Sequence, residues 1–139
     1  MKLESYQEAD SDLSMAIKLN KSYWDAYLAR GEVRLFYLAQ TGKAIPDFSI
    51  YITRHSKGAK ITDALTYRGF AYFKQGNFRL SENDYRQALT LDRQNGRVYY
   101  LLGQTLLELG QQESACQHFS EAYNLGYSAA LIEVRGICR

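Results

Sequence analysis

An all-α fold of stacked helical hairpins, about eight helices in one domain, follows from three features of this 139-residue sequence. Residues 62–95 and 96–129 superimpose without a gap at a spacing of 34, setting Gly69 over Gly103, Gly76 over Gly110, Tyr85 over Phe119, Ala88 over Ala122 and Leu91 over Leu125. A fixed period of this length marks a repeated helical hairpin. One proline and ten glycines punctuate the chain, the glycines near segment ends, as short antiparallel helices require. No run alternates between apolar and polar residues long enough to make a strand.

The residue types inside the period have physical reasons. Gly69 and Gly103 fall within the first helix of each hairpin, where glycine costs up to about 1 kcal/mol relative to alanine, and close approach of the second helix offsets that cost. Ala88, Ala115 and Ala122 are the small residues on the opposing helix, with Tyr85 and Phe119 filling the space beside them. Gly76 and Gly110 are expected to end the first helices in the left-handed conformation, and Asn77 to cap the helix that follows. Ser81 replaces alanine, with its hydroxyl expected to bond to the carbonyl four residues back.

The strings Gly69, Tyr72, Gly76, Tyr85, Ala88 and Leu91, then Tyr99, Leu102, Gly103, Gly110, Ala115, Phe119 and Ala122, resemble the tetratricopeptide repeat (TPR) family. The resemblance implies a right-handed α-α superhelix, an α-solenoid, and allows the rest of the chain to be placed in register. Residues 3–20 read as the second helix of a partial repeat, because Ala9, Leu13, Ala16, Ile17 and Leu19 fit that helix and Gly31 follows Ala9 at the demanded distance. Leu3, Tyr6, Leu13 and Ile17 suggest a helix covered on two sides, with a capping half-repeat as the alternative to a helix left out upstream. Residues 22–60 form an irregular repeat: Gly31 to Gly69 is 38 residues, four more than the period. The excess is expected in a first helix running one turn long, to near Gln40, and in the linker 56–60, with Pro46 in the first turn of a late-starting second helix. Residues 62–95 and 96–129 are regular repeats, and 130–139 supply a short capping helix. Arg30 and Arg68, where the family has leucine, are expected to pack their stems and reach water with their guanidiniums, while Arg34 stands in place of an aromatic.

Charge and motif content narrow the function. Net charge is +2, from 17 basic and 15 acidic residues with no run of either sign, so no field for nucleic acid or an anionic membrane is built. The first ten residues hold no apolar signal core, and no window approaches a membrane span. Cys116 and Cys138 lack metal-site spacing and read as reduced thiols in a cytoplasmic chain, Cys116 as a small apolar filler. His55 and His118 gather no ligand set, the pairs Asp10/Asp12 and Glu82/Asp84 read as solvated, and no nucleophile, phosphate or dinucleotide motif occurs. The chain is therefore read as a non-enzyme with no cofactor, no metal and no catalytic residue.

What remains is binding. The family lines its concave face from the first helices, and the matching positions here are Asp25, Leu28, Glu32, Leu35 and Phe36 in the irregular repeat, Asp63, Thr66, Phe70, Phe73 and Lys74 in the next, and Arg97, Tyr100, Gln104, Leu107 and Glu108 in the last. The core is the alternative place for Leu35, Phe73 and Leu107. Such an aromatic and aliphatic lining suits a peptide or helical segment of a partner protein. Chaperone-binding members hold an acidic C-terminus with Lys, Asn and Arg at positions that here read Leu28, Glu32, Tyr67, Arg97 and Leu101; only Arg97 fits, so that carboxylate clamp is absent. A recruiting segment of a larger protein or enzyme, and self-assembly into a homo-oligomer through the first hairpin or the C-terminal helix, are the competing readings.

Overall fold

A computed structural model describes residues 2–138. These residues form eight α-helices and one 3-10 turn: α1 (Leu3–Leu19), α2 (Trp24–Phe36), α3 (Thr41–Arg54), α4 (Ala59–Lys74), α5 (Phe78–Leu91), α6 (Gly96–Glu108), α7 (Gln112–Asn124), the 3-10 turn Ser128–Ala130 and α8 (Leu131–Gly136). Each helix packs chiefly on its sequence neighbours, so the core runs along a line, as in an α-solenoid.

Three hairpins, α2/α3, α4/α5 and α6/α7, close on one device. A Cβ built on Gly31, Gly69 or Gly103 would stand 2.6, 2.8 or 2.6 Å from the ring of Phe48, Tyr85 or Phe119. Only a hydrogen fits there. The rings are 0%, 1% and 0% exposed, so they cannot swing away. The turns differ: Gly76 (φ 79°) and Gly110 (φ 76°) end α4 and α6, with Asn77 N–H donating to Tyr72 O and Gln111 N–H to Leu106 O. The α2–α3 turn uses Ala39 at φ 52° and a wider closure, Gln40 N–H to Arg34 O.

That turn carries one of the four extra residues. Gly31 to Phe48 is 17 positions, against 16 for Gly69 to Tyr85 and for Gly103 to Phe119. The other three residues precede Thr62 and make α4 longer at its start, Ala59–Lys74 against Gly96–Glu108 for α6. So α2 ends at Phe36 instead of running on towards Gln40, and Pro46 lies in the second turn of α3.

The arginines also depart from expectation. Arg30 turns inward and grips Asp47 through Nε (3.0 Å) and Nη2 (2.6 Å), while its Nη1 donates to Ser14 Oγ on α1 (3.1 Å). Arg68 repeats the arrangement: Nε and Nη2 donate to Asp84, both at 2.8 Å, and Nη1 to Ser49 Oγ on α3 at 3.1 Å. Each guanidinium thus ties three successive helices. Asp47 and Asp84 are buried, so Asp84 does not lie on a solvated face. Arg34 links Asp10 on α1 to Asp47 on α3, which explains how a cation replaces an aromatic there. In the last hairpin the two positions hold Leu102 and His118, and the clamp is gone.

Two smaller expectations change as well. Asn77 makes no cap bond, its amide donating to Gln75 instead, whereas Asn95 caps α6 by accepting from the Val98 N–H. Ser81 Oγ pairs with Thr105 Oγ1 of α6 at 3.3 Å, an inter-repeat bond in place of a local one. At the far end, Cys116 and Cys138 are joined in a disulfide, Cα atoms 5.5 Å apart. The cysteines are therefore not free thiols, because α8 returns across α7 and brings residue 138 beside residue 116. α1 packs on α2, and its Leu3, Met15 and Leu19 are exposed.

Candidate functional site

The first helices of consecutive hairpins share one face: α2 touches α4, and α4 touches α6. Between α2 and α4 that face carries an aromatic row. Phe36, 40% exposed, meets Tyr67 edge-on with ring centroids 5.3 Å apart and stacks near Phe70 at 6.0 Å. Tyr67 rests below on Phe48 of the core (5.8 Å), so the row is fixed from beneath. The Lys74 ammonium lies 5.8 Å from the Phe70 ring centroid, within cation–π range.

Two carboxylates flank the aromatics. Glu32 is half-buried on α2, and that burial raises its pKa; Asp63 adds to the rise, against the Tyr67 hydroxyl and Lys60, which oppose it. Asp63 on α4 is also raised, first by partial burial and further by Asp92, with Arg97 opposing. The Tyr67 phenol is pushed up to about 12 by burial and by the two neighbouring carboxylates. No Lys or Arg nitrogen among the described residues lies within 4.0 Å of either carboxylate. At the rim, Lys60 does pair with Asp25 at 3.3 Å, both side chains exposed.

The sequence-derived lining separates into layers. Asp25, Phe36, Asp63, Lys74, Arg97 and Glu108 are exposed, while Glu32, Phe70, Phe73, Tyr100, Gln104 and Leu107 are partly buried. Leu28 and Leu35 are buried in the core cluster with Phe48, and Thr66 is buried and donates its hydroxyl to Thr62 O. Leu28 and Leu35 lie beneath the surface because they join Ala44, Phe48 and Tyr51 of α3 in one core cluster. Phe73 packs edge-on against Phe78 (5.3 Å), and Leu107 packs on the core of the last hairpins. Tyr100 is engaged within the chain: its hydroxyl donates to Glu133 Oε1 on α8 (2.8 Å) and accepts from Gln104 Nε2 (3.1 Å). Tyr67 and Lys60 were not among the groove positions. Tyr67 sits three residues before Phe70, a helical spacing that signals a shared face.

Comparison with known proteins identifies this architecture. A family model described as tetratricopeptide repeat matches residues 62–95, and a second with the same description matches 84–117. The chain is a tetratricopeptide repeat protein. Over 137 residues, 97% of its length, this TPR protein is 31% identical to the mitochondrial import receptor subunit TOM70 of Homo sapiens, of which the match covers 22%. The chain spans about a quarter of the length of the curated relatives it matches, 22% and 26%. Among solved structures, a crystal structure of MamA superimposes with TM-score 0.82 at 15% identity, covering 87% of this chain and 68% of that one. The first TPR of Spaghetti (RPAP3), bound to an HSP90 peptide, superimposes with TM-score 0.75 at 21% identity, covering 83% and 90%. At such identities these structures speak for the fold alone. No helix among the described residues is long and apolar enough to cross a membrane.

Proposed function

We propose that this TPR protein is a non-catalytic interaction scaffold that holds an extended or helical segment of a partner protein on the α2–α4–α6 face. The observation that carries the reading is the aromatic row Phe36–Tyr67–Phe70, supported from below by Phe48 and left open above. Aromatic anchors fixed on rigid helices lose little freedom on binding, which is where binding energy concentrates. The solved RPAP3 domain holds the HSP90 peptide SRMEEVD and supports peptide capture as a use of this fold. Here the residues of an acidic-tail clamp are absent apart from Arg97.

Recruitment on behalf of a larger protein is the second reading, supported by relatives several times longer than the matched segment. A cytoplasmic location fits only if the Cys116–Cys138 bond forms reversibly there, because disulfides persist in oxidising compartments.

The test is Phe70→Ala beside Phe36→Ala, read by partner affinity and by thermal melting. Both side chains are partly exposed, so binding should fall at least tenfold while the melting midpoint moves little. Unchanged affinity in both variants would remove the groove reading. Tyr100→Ala is unsuitable, because it also severs the bond to α8.

A further inference from the structure

We propose that the α2–α4 part of the groove recognises a partner segment carrying a lysine or arginine side chain flanked by apolar residues, the cation entering between Glu32 and Asp63 beside the Phe36–Tyr67–Phe70 row. This rests on the scaffold reading above and assigns the chemistry of its ligand. Glu32 and Asp63 each stand one turn before Phe36 and Tyr67, the rings that meet across α2 and α4 at 5.3 Å, and neither has an ion-pair partner within 4.0 Å among the described residues. An ammonium or guanidinium from outside would meet two carboxylates and the Tyr67 hydroxyl at once. The rings beside them already accept a cation, since Lys74 lies over Phe70. The apolar residues flanking the ligand's cation would cover the exposed edge of Phe36. An acidic segment, by contrast, would bring a third negative charge to two carboxylates that no ion pair within 4.0 Å among the described residues neutralises.

Charge on the pair gives a second readout. Glu32 is faced by Tyr67, Asp63 and Lys60 of α4, and Asp63 by Arg97 of α6 and Asp92 of the loop before it. Both carboxyls titrate above their ordinary values, mainly through burial. A cationic ligand needs them ionised, so its affinity falls as pH drops through those raised values, while the ligand's own charge stays fixed. Binding should therefore weaken before the ordinary carboxylate range is reached.

Fluorescent decapeptide libraries with two fixed leucines flanking one central position, held as Arg, Gln or Glu, provide the probes. Fluorescence anisotropy on the intact chain is expected to show the Arg library bound at least tenfold tighter than the Glu library. Glu32→Gln/Asp63→Asn should abolish that preference without lowering the melting midpoint, and Phe70→Ala should weaken all three libraries. Equal or tighter binding of the Glu library, still sensitive to Phe70→Ala, would overturn the cation inference and leave the groove standing. Binding insensitive to Phe70→Ala, or no binding by any library, would count against both.

Discussion

Arg68 shows how a charged residue can hold a repeat together. Its guanidinium makes a two-pronged bond to buried Asp84 and a third bond to Ser49, so it links α3, α4 and α5. Removing one partner of such a pair strands the other in a poor solvent, which costs about 3–5 kcal/mol, whereas replacing both can be neutral. Arg68→Leu alone should therefore lower unfolding free energy by about 3 kcal/mol or more in urea titration. Arg68→Leu/Asp84→His, which copies Leu102 and His118 of the last hairpin, should recover most of it. Gly103→Ala tests close approach: its methyl would stand 2.6 Å from the buried Phe119 ring. Overpacking of about 1–3 kcal/mol then outweighs a helix-propensity gain of up to about 1 kcal/mol, and the variant should melt lower. Asp10 adds a pH signature. Burial alone would raise its pKa, but the Arg34 bond and charge outweigh burial and lower it. A carboxylate lowered by folding stabilises above its unfolded pKa and loses that contribution as pH falls through the lowered value. Arg34→Met should flatten the acid limb of the stability–pH curve.

The hairpins and their joints differ in how far they were legible. Glycine–aromatic spacing located the crossings at Gly69–Tyr85 and Gly103–Phe119, because a 34-residue period copies packing directly into sequence, whereas the Gly31–Phe48 crossing, one position longer, was not read from it. The irregular repeat was harder, since the net excess of four says nothing about whether residues enter a turn or a helix. One enters the α2–α3 turn at Ala39, and three add to the start of α4. The charge clamp was illegible for a different reason: a buried aspartate and a solvated one look alike on a polar helix, and only the partner arginine's direction separates them. At α8 no sequence rule paired Cys116 with Cys138, since the approach depends on how the chain turns after Tyr127. That six-residue helix buries no side chain fully and is held by the disulfide, by Tyr100–Glu133 and by Gln112 Nε2 donating to Ile137 O. The bond closes a loop of separation 22, worth about 3 kcal/mol by loop-closure entropy. Cys116→Ser should lower the melting midpoint, and hydrogen exchange should show residues 128–138 opening ahead of α6 and α7. Exchange unchanged in that segment would mean the disulfide adds little.

Across the whole molecule, the scaffold reading we propose puts stability and recognition on different layers. The second helices and buried rings fix the spacing of α2, α4 and α6, and on that reading the partly exposed residues of those helices meet the partner. Of the groove named from sequence, the exposed rim and Phe36 and Phe70 lie on the shared face, while Leu28, Leu35 and Thr66 serve the core beneath it. Tyr67 became visible only with the rings in place. The measurement that bears most directly on the scaffold is a nitrogen–proton correlation spectrum of the labelled protein, recorded with and without the arginine-containing peptide library. Perturbations should gather on α2 and α4, around Glu32, Phe36, Asp63, Tyr67 and Phe70; shifts confined to α1, α3, α5 or α7 would contradict the groove.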